Sequence, residues 1–451
     1  MPTRPDNPTI DTEKRATLFV TTLTSFMGPF MISSVNIALP DIQKAFSVHA
    51  VLLAWIATAY LLTIAAALVP AGRIADIHGR RSLFSGGLGL LAIASALAAA
   101  SSSVEMLIAT RVLQGLGAAM VVTTGMPILI SVFPPEERGR AIGIYVAAVY
   151  IGLSAGPPVG GLLTAHLSWR WIFILVIPLN LGALVVTRRH LPREWVDAPG
   201  EKLDVPGSFL YALALVLLVY GASRLPHVSG GLMAGGGILG LLLFVRRQLR
   251  IDHPVFEMRL FMSSRVFTFS SLAALIHYGA TFGVTFLLSL YLQYIHGLPP
   301  QGAGLVLMIQ PVVMALVSPL AGRLSDRIEP GWIATTGMVL TAFSLGLLAV
   351  SIGGAPPPLL LAADLALLGL GFALFSSPNM NAIMSSIARR YYGIASGAVA
   401  TMRLLGQMAS MAVATVLFAV TIGPAEIKPP IYPALVRSMQ ICLAVFTLLC
   451  L

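Results

Sequence analysis

The sequence predicts an all-α integral membrane protein with about fourteen transmembrane helices. Hydrophobic residues make up 57% of the chain and charged residues 10%, with a mean hydropathy of +0.87. A chain of 451 residues with this composition could not cover itself with a polar surface in water. Apolar runs of about 20 residues, the length that spans a hydrocarbon core, recur along the chain. Most of the basic residues lie between these runs.

The apolar runs fall into three groups. The first six predicted spans lie near residues 16–39, 51–71, 82–101, 105–130, 141–165 and 171–187. Two more lie near 207–223 and 230–246, between polar stretches. The last six lie near 266–294, 302–321, 331–352, 358–386, 393–421 and 434–451. We therefore expect a first six-helix half at 1–187, a linker with two inserted helices at 188–265, and a second six-helix half at 266–451.

The distribution of Lys and Arg predicts the orientation, since cytoplasmic loops are rich in these residues. With a cytoplasmic N-terminus, 21 of the 28 basic residues fall in inside segments, five fall outside, and Arg111 and Arg403 fall within spans. The expected location is the inner (plasma) membrane, with an uncleaved first span. The last predicted span stops at Leu451 without a basic segment after it, which is consistent with a truncated chain.

The chain also repeats itself at an offset of 250 residues. The repeated positions are Gly72, Arg73 and Asp76 with Gly322, Arg323 and Asp326, and Arg140 with Arg390. Two parallel six-helix repeats with a binding site between them are typical of secondary transporters, and the two spans between the repeats are then an insertion.

The turn between spans 2 and 3 holds Gly72, Arg73, Asp76, Gly79 and Arg80. Glycines permit a tight turn, and the Asp can pair with the arginines or cap a neighbouring helix. Such a contact can break and re-form as two halves rock, so we interpret the turn as a cytoplasmic gating motif. The alternative is a solvated loop that only sets the orientation.

Span 5 carries Gly152, Gly156 and Gly160 at helical spacing, with Pro157 and Gly161 beside them. The glycines form a flat ridge on which another helix can approach closely, and the proline favours a kink. A hinge or a sealed seam is one interpretation. Ordinary packing between membrane helices is the other.

Two arginines lie inside predicted spans. Arg111 in span 4 shares a helical face with Gln114, and a buried arginine should face a cavity, water or a carboxylate rather than lipid. Arg403 in span 13 forms a similar pair with Gln407, for which structural anchoring is an equal alternative.

These segments resemble motifs of the major facilitator superfamily. Residues 72–81 resemble its loop G-x-L-A-D-x-x-G-R-[RK], residues 111–115 its R-x-x-Q-G motif, and residues 152–161 the antiporter motif of its drug exporters. With Asn36 to Pro40 closing span 1, the whole chain is similar to the fourteen-helix drug:proton antiporters. The resemblance implies a major facilitator fold, a role for Arg111 in proton transfer or substrate contact, and a bias of the span 5 motif toward export.

The chain departs from that family at Met31, where an Asp usually stands five residues before the Asn. Asp364 is the acid most clearly within a span, so it becomes the leading proton-coupling candidate. Arg111 and His277 are the other two candidates. A hydrated interfacial acid and a packed core histidine are the respective alternatives. The candidates for the substrate cavity are Asn36, Gln114, Tyr145, Tyr150, Gln310, Asn379 and Arg403.

Other functions lack support in the sequence. The Gly-Lys pair of a phosphate-binding loop, the HExxH motif and paired metal ligands do not occur, so we expect no enzyme activity, cofactor or metal. We expect no nucleic-acid partner, and a monomer that contacts the lipid bilayer, protons and a small amphiphilic substrate. The main hypothesis is proton-coupled efflux of lipophilic compounds by alternating access. The alternative is a facilitator or symporter of a more polar solute.

Overall fold

A computed structural model describes residues 8–252, 254–256, 258–354, 356–387, 392–423 and 425–451. These residues form α-helices and no strand. In chain order the helices are α1 Pro8–Phe46, α2 Ala50–His78, α3 Arg80–Ala99, α4 Val104–Val132, α5 Pro135–His166, α6 Arg170–His190, α7 Val205–Ser223, α8 Val228–Gln248, α9 Met258–Ser263, α10 Arg265–Leu290, α11 Pro300–Leu307, α12 Ile309–Ser325, α13 Pro330–Ser351, α14 Pro358–Ser385, α15 Tyr392–Thr421 and α16 Tyr432–Cys450.

Within the described residues, 14 spans are long and apolar enough to cross a membrane, which confirms the predicted fold class. Helices α11 and α12 together form one span, interrupted at Met308, and α9 is too short to be one. A π-helical turn, Tyr291–Ile295, extends α10. Arg390, the predicted repeat partner of Arg140, lies outside the described residues.

Polar side chains set several helix starts. The Oγ of Ser103 accepts the Met106 N–H at 3.2 Å before α4, and the Oγ of Ser264 accepts the Phe267 N–H at 3.3 Å before α10. Each satisfies a backbone donor that has no partner inside its own helix. Some helices extend beyond the predicted apolar runs, as α1 does at Pro8–Phe46 against 16–39, because their polar end turns lie outside the stretch that hydropathy detects.

The two sets of six spans pack in the same pattern. Helix α1 packs on α5, α2 and α3 on α4, and α3 on α6. In the second set α10 packs on α15, α12 and α13 on α14, and α13 on α16. The sequence offset of 250 residues therefore corresponds to a repeated arrangement of helices.

Helices α7 and α8 form a pair beside the two repeats. Helix α7 packs against both α2 and α15, so the pair lies where the two sets meet. Its Tyr211 hydroxyl donates to the Ala65 carbonyl at 3.2 Å.

The two sets are joined at one end, which is the outer end in the predicted orientation. The Ser289 hydroxyl donates to the Asn36 carbonyl at 2.7 Å, and the Ala50 N–H donates to the Ala425 carbonyl at 3.2 Å. Deeper in the bundle, the hydroxyls of Thr58 and Thr415 lie 3.1 Å apart. These contacts close the outer end between the halves.

Candidate functional site

A small cavity lies between α10, α14 and α15. Its volume is about 20 Å³. The lining residues are Ala274, Tyr278, Phe375, Ser376, Asn379, Met380, Val399 and Arg403. Arg403 follows the start of α15 at Tyr392 by eleven residues, or about 16 Å of helix, so the cavity lies near the middle of the bilayer.

Arg403 is the charged group of this cavity. Its guanidinium carbon lies 4.8 Å from the centre of the Tyr278 ring, a cation–π contact. Tyr150 of α5 packs against the cluster that Tyr278 forms with Met314 and Phe372, whereas Tyr145 packs within the first six helices. The first six helices therefore contribute Tyr150 to a site whose cation comes from the second six.

Of the four remaining cavity candidates, one lines this cavity and three lie elsewhere. Asn379 lines the cavity and donates to the Ser270 carbonyl at 3.0 Å. Asn36 is buried at the outer contact between the halves. Gln310 is buried near the start of α12, and Gln114 lies within the first six helices.

Arg111 is buried within the first half and has partners on several sides. Its Nε donates to the Ile56 carbonyl at 3.2 Å, and one terminal nitrogen donates to Gln114 at 2.8 Å. The guanidinium carbon stands 4.0 Å from the Tyr60 ring centre, and Gln114 in turn donates to Ser95 at 3.0 Å. Arg111 thus meets a carbonyl, an amide and a ring, and these groups supply the polar environment that its sequence position demands.

Asp364 lies near the outer end of α14 and is 3% exposed. Its Oδ1 accepts the Ser344 hydroxyl at 2.7 Å, and its Oδ2 has no hydrogen-bond partner among the described residues. It is separated from Asn379 by fifteen residues of α14, or about 22 Å of helix. A position this close to the helix end could have been a hydrated acid at the membrane interface, but the Asp364 side chain is buried.

His277 is fully buried among aromatic and sulfur-containing side chains. Its ring stacks on Phe375 with centroids 4.1 Å apart, and its Nδ1 lies 3.4 Å from the Met338 sulfur. Its Nε2 has no hydrogen-bond partner in the described part of the chain. These surroundings fit a packed core histidine, and Tyr278 beside it reaches the cavity.

The end of α2 and the start of α3, which only Gly79 separates, are bound by the linker that follows α6. The predicted turn is shorter than expected, because Gly72, Arg73 and Asp76 lie within the last turns of α2. Arg80 donates to Asp76 at 3.1 Å and also pairs with Asp197 of the linker. Arg73 pairs with Glu201, another linker residue. The arginines of the predicted gating motif therefore bind the linker, a contact that the sequence of the motif did not indicate.

A linker carboxylate also caps α3. The Glu194 carboxylate accepts the Arg81 N–H at 2.7 Å and the Ser82 N–H at 3.1 Å. Gly79 precedes α3 with φ of 113°, where a side chain would be strained and would overlap Glu194. Gly72, in contrast, has only Thr123 near the position of a Cβ, at 3.9 Å.

The glycine ridge of α5 packs directly on α1. A Cβ on Gly156 would overlap the Ser33 hydroxyl, and one on Gly160 would lie 2.7 Å from the Ser34 Cα. The Ser34 hydroxyl donates to the Gly156 carbonyl at 2.9 Å. These small residues let the two backbones approach closely.

Past the ridge, α5 meets the other half. The Pro157 carbonyl lies against Gly304 of α11, where a Cβ would overlap it, and a Cβ on Gly161 would lie 2.5 Å from the Pro300 carbonyl. Gly152 lies at the opposite end of the ridge, against the Phe26 carbonyl. One helix thus packs within its own half and seals the outer end.

The same segment contains the letters of a serine-hydrolase elbow, G-x-S-x-G, at residues 152–156, which the sequence reasoning overlooked. In such enzymes the serine stands on a sharp turn between a strand and a helix. Here Ser154 lies inside α5 and donates to the Tyr150 carbonyl at 2.9 Å. Among the described residues, no group of three or more His, Cys, Asp or Glu could hold a metal ion.

Known proteins match nearly the whole chain. The family model of the Major Facilitator Superfamily matches residues 21–411 and again 270–450. "Riboflavin transporter RibZ" of Clostridioides difficile is 31% identical over 90% of this chain and 88% of its own length. "Multidrug resistance protein Stp" of Mycobacterium tuberculosis is 30% identical over 88% of this chain and 75% of its own. "Tetracenomycin C resistance and export protein" of Streptomyces glaucescens is 31% identical over 86% and 73%.

Solved structures agree on the fold. A peptide transporter POT in complex with sulfate superimposes with a TM-score of 0.70 at 16% identity, covering 96% of this chain and 93% of the other. At that identity the likeness concerns the fold alone. From the family model, the relatives and the repeated packing of the helices, we conclude that this chain is a multi-pass membrane protein that belongs to the Major Facilitator Superfamily.

Proposed function

We propose that the protein exports amphiphilic compounds by alternating access, in exchange for protons. The observation that carries the proposal is the cavity around Arg403, at mid-depth and with aromatic residues of both halves beside it. Binding sites of secondary transporters lie at this depth, between the repeats. Relatives named for resistance to several drugs and for tetracenomycin C export support efflux.

Asp364 is the proposed proton-coupling acid. Burying an ionised carboxylate without a cation is costly, and Ser344 supplies its one described side-chain hydrogen bond. A proton would remove that cost, and its release requires Asp364 to meet water or a cation during the cycle. The N-terminus is proposed to face the cytoplasm, in the inner membrane of a bacterial cell, from the distribution of basic residues.

The test is transport of a lipophilic fluorescent compound into liposomes under an imposed pH gradient. The wild type should accumulate the compound. Asp364→Asn keeps an acceptor for Ser344 but cannot release a proton, so it should lose gradient-driven accumulation and retain exchange of labelled for unlabelled compound. Asp41→Asn is the matched control, because Asp41 lies 3.4 Å from Lys44 in a partly exposed pair, and it should behave as the wild type.

Full gradient-driven accumulation by Asp364→Asn would remove that residue from the coupling and leave Arg111 and His277 as candidates. If no compound of a chemically varied panel followed the gradient in the wild type, proton-coupled efflux would be wrong. The relative named as a riboflavin transporter would then favour the second candidate, a facilitator or symporter of a more polar solute.

A further inference from the structure

Arg403 presents a cation to the cavity, and no carboxylate of the described residues forms an ion pair with it. Among the residues that the structure describes, the ion pairs join other groups: Asp76 and Asp197 hold Arg80, Glu201 holds Arg73, and Asp204 holds Arg247. A charge near the middle of a membrane is costly and normally has a partner of opposite sign. The Tyr278 ring attracts the guanidinium but carries no negative charge, so it replaces such a partner only in part.

The buried acid of the second half does not serve as this partner. Asp364 is bound to Ser344 between α13 and α14, toward the outer end and about 22 Å along α14 from the cavity residue Asn379. Arg111 differs from Arg403 because the Ile56 carbonyl and Gln114 already bind its guanidinium. Arg403 is thus the intramembrane arginine whose charge faces a cavity.

The other lining groups suit an acidic group attached to an apolar body. The Ser376 hydroxyl, 3.5 Å from the Tyr278 hydroxyl, can donate a hydrogen bond toward the cavity. Phe375, Met380 and Val399 supply apolar wall. A volume of about 20 Å³ leaves room for one small group of a compound, with the rest lying along the interface between the halves.

We infer that Arg403 anchors the acidic group of the substrate, and that the preferred substrates are anionic amphiphiles such as aromatic carboxylates. This inference rests on the proposed export function and names its substrate class. A guanidinium binds a carboxylate through two parallel hydrogen bonds, which gives both charge and orientation. Lipophilic cations are disfavoured in this cavity because Arg403 repels them.

The test uses equilibrium binding to the purified protein at pH 7.5, so that it does not depend on a proton gradient. The probes are a fluorescent coumarin carboxylic acid and its methyl ester, which differ in charge but little in shape. The wild type should bind the acid at least tenfold more tightly than the ester. Arg403→Gln should weaken acid binding about tenfold and leave ester binding unchanged, and Arg403→Lys should retain part of the preference.

Arg437→Gln controls for the loss of one positive charge, because Arg437 is exposed near the outer end of α16, and it should keep the wild-type preference. Equal loss of acid and ester binding in Arg403→Gln would indicate a structural role and overturn the inference. So would a wild type that binds neither probe or prefers the ester. If the acid preference depends on Arg403 while no gradient drives transport, the inference stands and the proposed coupling fails.

Discussion

At the scale of single residues, Gly160 of α5 shows how closely two helices can approach where a side chain is missing. A Cβ on Gly160 would lie 2.7 Å from the Ser34 Cα and 3.0 Å from its carbonyl oxygen. These are backbone atoms of α1, which cannot move aside as a flexible side chain can. The ridge therefore requires glycine for steric reasons, whatever its part in transport.

We predict that Gly160→Ala destabilises the protein by about 1–3 kcal/mol, the usual cost of overpacking a close contact. Thermal unfolding in detergent would measure it as a lowered transition temperature. Gly143→Ala on the same helix is the control, because nothing lies within 4 Å of its Cβ position. It should be neutral or slightly stabilising, since alanine favours a helix. Equal stability of the two variants would contradict the close packing of α1 on α5.

Arg111 illustrates what sequence reasoning could predict at this scale. Its place in an apolar run predicted polar surroundings, and the structure supplies Ile56, Tyr60 and Gln114. Gln114 could be predicted as a partner of Arg111 from helical spacing, because both residues lie on α4. Ile56 and Tyr60 could not be predicted, because they come from α2 and their position depends on how two helices pack.

At the scale of elements, the polar stretch before α7 organises the surface opposite the outer end. Asp204 is the N-cap of α7, where its side chain accepts the Gly207 N–H at 3.0 Å. It also accepts hydrogen bonds from Arg247 at 2.7 Å and Gln248 at 2.9 Å, both at the end of α8. One carboxylate thus joins the two ends of the inserted pair.

The pKa of Asp204 reflects opposing effects. Burial would raise it, but the hydrogen bonds from Arg247, Gly207 and Gln248 together hold the pKa below its ordinary value. Because the folded pKa is lower than the unfolded one, the carboxylate stabilises the folded protein above the ordinary Asp pKa of about 4. That stabilisation is lost as the pH falls through the folded pKa.

Asp204→Asn should therefore lower stability at pH 7 by about 1.5–3 kcal/mol, the range for hydrogen bonds to a charged group. Near pH 3 the difference from the wild type should shrink, because protonated Asp resembles Asn. Thermal unfolding at both pH values measures it, with the exposed Asp252→Asn as control. A difference that does not depend on pH would show that charge on Asp204 contributes nothing.

The sequence predicted the two inserted helices but not the contacts of the polar linker before them. Hydropathy located the inserted helices, since an apolar run of sufficient length carries its own signal. Glu194, Asp197 and Glu201 stand in a stretch without periodicity, and their contacts with the end of α2 and the start of α3 depend on how the chain returns across the surface.

At the scale of the whole molecule, the described hydrogen bonds between the two repeats gather at the outer end. Ser289 bonds to Asn36, Gln293 donates to the Ile37 carbonyl at 2.9 Å, and Tyr294 bonds to Gln43. The sequence predicted two repeats and a site between them, from the 250-residue offset. It could not predict which end is closed, because the same residues must support both the open and the closed arrangement.

The close contact of α5 with α11 offers a way to shift the equilibrium between the arrangements with a closed and an open outer end. A Cβ on Gly304 would overlap the Pro157 carbonyl, so Gly304→Leu cannot keep the closed outer end and should favour the arrangement in which that end parts. The reporter is Asn36→Cys, a position 2% exposed in the closed arrangement, in a chain with Cys442 and Cys450 replaced by alanine. Labelling by a membrane-impermeant maleimide added outside should rise severalfold.

Gly302→Leu is the matched control on the same helix, because the atoms nearest its Cβ position belong to the preceding loop, at 3.5 Å or more. It should leave the labelling of Asn36→Cys at the wild-type rate. Equal labelling in the Gly304 and Gly302 variants would mean that the α5–α11 contact does not hold the outer end closed. An increase confined to Gly304→Leu would show that a shape fit between one helix of each repeat controls access to the cavity from outside. Because a substrate must reach Arg403 from one side at a time, that variant should also slow exchange of bound compound with the inner compartment.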